Sequence, residues 1–538
     1  MSYLTEDRAR VPGGVHYIAG LILGISLLVY STTAGGSLTT TDALVTYEVT
    51  KSLVHDRSIA LPQGVTPREA RIGADGRYYS PFGLAQSVYN IPFYLVGVTA
   101  QALSGIRIGK ADTFTKATVG FGNVFLAGGA VWLTFLFAWR ITRNVRASTL
   151  AALALGFGTL LWPYSKFGFN APLATVCLLG GSYGMWVGTR TGKESFLTLG
   201  GISLACGLLT RHELGLAVIP AAVWLVLESG NQKVLARRAW RAGSPVVVAG
   251  AVWCVYNFVR FGNPLDAGYF GDNGMGFGGS MLSGLYGLLV TPGASLFVYS
   301  PITLVGLIAL IRLGFLDTRT AIFFGSQILV FLVFYSTLEN WFGGRSYGSR
   351  YLVPILPYLC IPLAPVFAQL QSFMARRVII AVVLCSTATQ LPGILVDYAK
   401  VSVAYTQSAG DAPLSLPERQ YSWSAAPLPL NARVAAEAVP TNARYLLGFE
   451  APPSIASPTQ EGTSFSQQFT FSLDFWWLYL YYLGVASAPV AVALGLVPLG
   501  GAILLGKALK LSFDEASGSA DPPGSAAVVN SRKQSTRP

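Results

Sequence analysis

Charge is what this chain has least of. Only 12% of its 538 residues are Asp, Glu, Lys or Arg, against 52% hydrophobic residues and a mean hydropathy of +0.50. Soluble globular domains carry roughly 25% charged residues, so a water-soluble fold is excluded. Cysteine is scarce as well. Cys177, Cys206, Cys254, Cys360 and Cys385 all fall in apolar runs, with no CxxC and no His at ligand spacing, which argues against a disulfide or zinc framework. HExxH, a P-loop and a nucleophile elbow are missing. No acidic or basic residue lies near the middle of an apolar run, whereas ion-coupled transporters place such groups along their pathway.

What the chain does have is a series of uninterrupted apolar runs of about 18 to 22 residues, each long enough to cross about 30 Å of hydrocarbon as a helix. They lack the alternation of barrel strands. The expected class is an all-α polytopic membrane protein with about twelve transmembrane helices: His16 to Thr33, Thr118 to Trp139, Ala147 to Tyr164, Ala171 to Gly188, Leu197 to Leu209, Leu214 to Leu227, Pro245 to Val259, Leu296 to Leu313, Ala321 to Leu338, Tyr351 to Phe367, Val378 to Val396 and Phe475 to Leu505. Arg8 and Arg10 precede a first run without a cleavage site, so that helix is expected to be retained.

A thirteenth apolar stretch, Phe82 to Leu103, is broken by Gln86, Asn90 and Pro92. Placing it on the outer surface rather than across the membrane puts every strongly basic short loop, including Arg140, Arg143 and Arg146, inside. The excess of 37 Lys+Arg over 25 Asp+Glu then falls in the cytoplasm, and a basic pI reports topology rather than nucleic-acid binding. The expected organisation is a transmembrane catalytic module over 1–396 with a first outer loop over 34–117, then an outer loop over 397–474. A last transmembrane helix over 475–507 and a disordered cytoplasmic tail over 508–538 complete it. The 397–474 loop is long, polar and Pro-rich with aromatic interruptions such as Tyr421 and Trp423, which reads as a lid. Gly-rich patches such as the one from Gly120 read as close helix-packing surfaces.

The charges that remain gather at the outer boundary. In the first outer loop Thr40 or Thr41 can cap a short helix whose Val45, Val49 and Leu53 recur at i+4, an amphipathic element suited to lying on the membrane. Asp42 then sits in its first turn, where the helix dipole favours the ionised carboxylate and where it can act as a base towards a hydroxyl. Capping alone explains it equally. The same loop adds Glu48, Tyr78 and Tyr79. In ENWFGGRSYGSRYLVPILPY, from Glu339, three glycines permit a tight backbone while Arg345 and Arg350 emerge at the start of a span. Guanidinium forks suit phosphate oxygens there, while Trp341, Tyr347 and Tyr351 with Arg anchors also fit an interfacial belt. Arg211, His212 and Glu213 interrupt a helical hairpin at the outer face, either lining a site or snorkelling. Asp266 and Tyr269 in FGNPLDAGYF lie on the same side.

Taken in order, TTTDALVTYEV, GRYYSPFGLAQSVYNIPFYLVG, GTLLWPYS, GLLTRHELGL, FGNPLDAGY, YGLLVTPGASLFVYSP and WFGGRSYGSRYLVPILPY resemble bacterial glycosyltransferases of the GT-C superfamily. The resemblance is to the family 39-like group, with its protein O-mannosyltransferases and the lipid A aminoarabinose transferase. It runs over roughly Leu38 to Pro365 and again around LDFWWLYLYY at Leu473. It implies a GT-C-like fold with membrane-parallel helices in the first outer loop. It also implies sugar transfer from a polyprenyl-phosphate donor to a glycan, lipid or protein acceptor, at the outer face of a bacterial cytoplasmic membrane, with both termini cytoplasmic. Asp42 matches the catalytic acid position. Arg350, with Arg345 and Arg211, matches the donor-phosphate role, and Glu48, Tyr78, Tyr79, Glu213 and Trp341 fall where substrate would lie. Many relatives carry Asp-Glu at the first position, whereas here Ala43 follows Asp42, and SKFGFNAP at Ser165 lacks an acid. A metal site is therefore not indicated, and no cofactor is expected. Two rival classes share these features: a transporter or flippase of lipid-linked saccharides, and a non-catalytic envelope-assembly scaffold.

Overall fold

The computed structural model describes residues 13–65, 69–104, 112–269, 276–408, 414–452 and 472–518. Arg8, Arg10 and the tail beyond 518 lie outside these. The described chain is helical apart from one two-stranded hairpin.

The first helix, α1 (Gly13–Thr33), leads into the loop over 34–117 and α2 (Thr41–His55). Thr40 is the cap, its hydroxyl accepting from the Ala43 amide, and Asp42 occupies the first turn as expected. The apolar stripe of α2 departs from expectation. Val45 and Val49 are buried against Leu61, Tyr78 and Phe82 of the same loop rather than presented to lipid. The loop folds back because Arg71–Ile72 and Tyr78–Tyr79 pair as an antiparallel hairpin around Gly76, whose φ of +77° suits glycine.

Next come α3 (Leu84–Ser104), α4 (Thr113–Thr142), α5 (Val145–Gly158), α6 (Ala171–Thr191) and α7 (Ser195–Thr210). Tyr89 of α3 donates to the Gly122 carbonyl of α4 at 2.8 Å, so the glycine patch serves as a packing surface. At Gly184 an added Cβ would come within 2.6 Å of the Gly200 Cα, which shows how closely α6 and α7 approach. A 3-10 turn over His212–Ala217 then opens α8 (Val218–Glu228), followed by α9 (Gln232–Phe261) and α10 (Met281–Leu289). The antiparallel pair α11 (Ile302–Leu316) and α12 (Thr318–Ser336) precedes α13 (Phe373–Ala388). Beyond it come α14 (Tyr398–Ser408), α15 (Pro427–Leu446) and α16 (Ala488–Gly518).

Seven described helical segments are long and apolar enough to cross a membrane unaided, and three more apolar helices are shorter. Several of the twelve expected runs are interrupted, among them Arg350–Ala368, itself one of the seven. Ala147 to Tyr164 breaks at Thr159, whose backbone is extended, and resumes as Leu161–Tyr164. Leu296 to Leu313 breaks at Ser300, just before Pro301. The run after Arg350 is a 3-10 turn over Arg350–Ile355 passing into short helices, its ladder interrupted by Pro354, Pro357 and Pro362. Phe475 to Leu505 divides at Gly484 (φ +69°) into Trp476–Tyr482 and α16. Helix α16 continues to Gly518, past the expected boundary at 507. Arg146 donates to the Phe513 carbonyl at 2.8 Å and holds this extension to the start of α5.

The 397–474 segment contains α14, α15 and a short helix, Leu416–Arg419, closed by a Ser415/Glu418 capping box. Its described residues are docked rather than loose. Gly293 donates to the Gln420 carbonyl at 3.0 Å, and Leu428 donates to the Tyr299 hydroxyl at 3.1 Å. The Tyr421 ring lies 6.1 Å from Trp341.

Candidate active site

The turn Ser165–Asn170 organises the site. Asn123, buried in α4, donates to the carbonyls of Phe167 and Phe169, fixing the turn against that helix. Its last two residues each carry an arginine. The Arg350 guanidinium lies 5.1 Å from the centre of the Phe169 ring, and Arg211 donates from Nε to Asn170 Oδ1 at 2.7 Å. Arg350 reaches this point because Gly343, Gly344 and Gly348 all have positive φ. A Cβ on Gly343 would press on the Arg350 stem at 3.0 Å.

Arg350 Nη1 meets Asp42 Oδ2 at 2.6 Å, the central contact of the site. Each partner is partly shielded from water, with side-chain exposures of 15% and 25%, so this ion pair escapes most of the screening that weakens surface pairs. Two guanidinium groups stand here with spare capacity. Among the described residues, Arg350 Nε and Arg211 Nη1 are buried and meet no acceptor. A buried N–H without an acceptor is costly.

Glu213 accepts from the Tyr335 hydroxyl at 3.0 Å, and Tyr335 stacks on Tyr351 with centroids 4.7 Å apart. Tyr269 packs 4.8 Å from the His212 ring. Glu213, His212, Tyr269 and Tyr335, with Phe277, Phe334 and Leu338, line a small recess.

Other sequence candidates are used elsewhere. Tyr79 donates to Asp75 at 2.9 Å and Tyr78 packs under α2, so both serve the hairpin. Glu48 faces Lys51, Lys116 and Asp112, and burial pushes its carboxyl up. Trp341 lies against Phe342 and the docked Tyr421, and Arg345 is exposed.

Two features were not anticipated. Tyr398 is 2% exposed, its ring packed on Phe167 at 4.7 Å, and its hydroxyl has no partner among the described residues. Burial, and the nearby Tyr164 and Asp397, keep that hydroxyl protonated, with Arg350 and Asp42 also in range. The second is a buried charge cluster behind the turn. Lys166 (0% exposed) pairs with Asp474 (2%) at 3.0 Å, and Lys400 with Asp397 at 3.7 Å. Tyr479 links them, donating to Asp474 at 2.7 Å and lying 3.1 Å from the Lys400 amine, which donates to it. Asp474 thus stands against the SKFGFNAP turn, paired with its Lys166. Among the described residues no three His, Cys, Asp or Glu side chains gather in a metal-binding group.

Fold and site together define a polytopic membrane protein with a polar centre built between the segments that connect its helices. The fold is similar to that of ArnT from Cupriavidus metallidurans. With the apo form the chain shares 11% identity at a TM-score of 0.50, covering 90% of this chain and 76% of ArnT. The structure of the same enzyme bound to undecaprenyl phosphate matches at 12% identity and a TM-score of 0.49, covering 95% and 80%. AglB, the oligosaccharyltransferase of Archaeoglobus fulgidus in complex with an inhibitory peptide and a dolichol-phosphate, matches at 11% and 0.43, covering 75% and 61%. No protein-family model and no curated protein matches the sequence.

Proposed function

We propose that the protein is a membrane glycosyltransferase that moves a sugar from a polyprenyl-phosphate donor to an acceptor hydroxyl at the outer face of the membrane. The observation that carries this is the Asp42–Arg350 pair beside Arg211, with one buried, unpartnered nitrogen on each arginine. In the free protein Asp42 occupies one nitrogen of Arg350. An incoming phosphate has Arg350 Nε and Arg211 Nη1 to accept from, and it competes with Asp42 for the remaining positive charge. Relieved of part of that pairing, the Asp42 carboxylate becomes the stronger base.

The acceptor oxygen attacks the anomeric carbon from the side opposite the phosphate. The bond from that carbon to the phosphate oxygen breaks, the acceptor proton passes to Asp42, and polyprenyl phosphate departs with its electron pair held by the arginines. One carboxylate suffices, because phosphate is already a good leaving group and needs no general acid. Inversion follows from a single displacement. The test is transfer by the purified protein in lipid from a panel of radiolabelled polyprenyl-phosphate sugars. Wild type consumes one donor, and Asp42→Asn lowers turnover about a hundredfold or more. Undiminished turnover in a folded Asp42→Asn protein removes Asp42 from the chemistry, and saturable donor binding without transfer by wild type supports a carrier instead.

A further inference from the structure

The buried charges behind the turn join three segments that carry site residues. Lys166 belongs to the turn whose Phe169 and Asn170 hold the two arginines, and besides pairing with the Asp474 carboxylate it donates to the Ile394 and Asp474 carbonyls. Asp397 accepts from the Ala399 and Lys400 amides at 3.0 and 3.2 Å, which closes the first turn of α14 and so places Tyr398. The third segment is the chain that leaves α1 towards Asp42. There the Trp476 amide donates to the Ala34 carbonyl at 3.0 Å. A Cβ on Gly35 would stand 3.0 Å from Asp474 Oδ2, and one on Gly36 would collide with the Tyr479 ring.

The turn also packs directly on the start of α2, but that contact is apolar: a Cβ on Gly168 would meet Leu38 and Ala43. Apolar contact sets how closely two surfaces approach and is non-directional, whereas hydrogen-bonded ions shielded from water hold one register. We infer that Lys166 and Asp474 are positioning residues that fix Asp42 against the arginines, acting through the turn and through the chain leaving α1. Both arginines are held by the same turn, so donor phosphate can still be bound when the cluster is loosened. What the cluster sets is the placement of the base relative to them, and a misplacement of about 1 Å costs on the order of a hundredfold in rate. This inference rests on the transfer reading above.

The experiment combines steady-state transfer kinetics with melting curves of the full-length protein in lipid nanodiscs, using the radiolabelled polyprenyl-phosphate sugar that wild type consumes. Asp474→Asn/Lys166→Met removes both charges. Gly35→Ala keeps them and presses the chain leaving α1 away from Asp474 by a few tenths of an ångström. The double variant is expected to regain part of the melting temperature lost in Asp474→Asn, yet to turn over about tenfold or more slowly than wild type, with a donor KM within about twofold of it. Gly35→Ala is expected to melt as wild type does and to lose about threefold in kcat. Turnover that recovers in step with the melting temperature in the double variant makes the cluster a fastening alone and overturns the positioning role, while the transfer reading stands. A raised KM at unchanged kcat overturns it too, because the effect then lies in donor binding. Should the double variant not fold, Gly35→Ala decides alone, and wild-type kcat in it overturns the role. A wild type that transfers from no polyprenyl-phosphate sugar removes the transfer reading, and the positioning role with it.

Discussion

Asp42 reaches Arg350 across 308 positions of chain, and that separation marks what the sequence could show of the site. Each residue was legible alone: Asp42 from its place in a capped first turn, Arg350 from a glycine-rich approach to an apolar run. Their contact was not, because no local period records a pairing made by folding the first outer loop onto the tenth run. Tyr398 was less legible still, one tyrosine among 25. Its unpartnered hydroxyl beside the arginine gives it a definite expectation. On the function proposed here it donates a charge-assisted hydrogen bond to the donor phosphate, so Tyr398→Phe should lower kcat/KM roughly tenfold or more. The ring contacts with Phe167 and Tyr347 remain in that variant, so its thermal unfolding should match wild type. Steady-state transfer kinetics beside a melting curve separate the two effects.

At the scale of elements, helix existence followed from apolar length, while helix continuity depended on residues that break the ladder from within. Pro301, Pro354, Pro357 and Gly484 convert expected straight spans into broken ones, and the breaks let the chain turn between helices. Those turns are fastened by Lys166, Asp474, Lys400 and Asp397, joining elements up to 308 positions apart. Removing one member leaves a buried charge uncompensated, which costs about 3–5 kcal/mol. Asp474→Asn should therefore lower the melting temperature in detergent sharply, and adding Lys166→Met should restore part of the loss. Burial pushes the Asp474 carboxyl up, but Lys166 and Lys400 outweigh it and leave the group below the ordinary carboxylate value. Its stabilisation is then complete above about pH 3.9 and is lost only as pH falls through the lower folded value. Melting curves taken between neutrality and strong acid check this: wild type should keep its Asp474-dependent margin down to about pH 4.

Across the whole molecule the charges separate into two ends, and the structure gathers each set. Opposite the Asp42 site, three short connections expected in the cytoplasm are laced together. Arg190 pairs with Glu228 at 2.9 Å and Asp317 at 3.1 Å, and Glu194 is held by Arg237 and Arg241 at 2.6 and 3.0 Å. The docked 414–452 segment lies instead with Trp341 and Tyr299 on the site's side. If the basic end faces the cytoplasm, as the positive-inside rule requires, Lys193 and Ser422 must be reachable from opposite sides of the membrane. The native cysteines leave this measurable, since all five lie within helices or apolar short segments and none is disulfide-bonded. Lys193→Cys and Ser422→Cys, introduced separately, should react with a membrane-impermeant maleimide in complementary preparations. Ser422→Cys should be labelled in intact spheroplasts and Lys193→Cys only in inverted vesicles. The reverse pattern would place the Asp42 site on the cytoplasmic face and make a cytoplasmic sugar donor the one to test, and labelling of both from one side would mean that the two charged ends do not flank the bilayer.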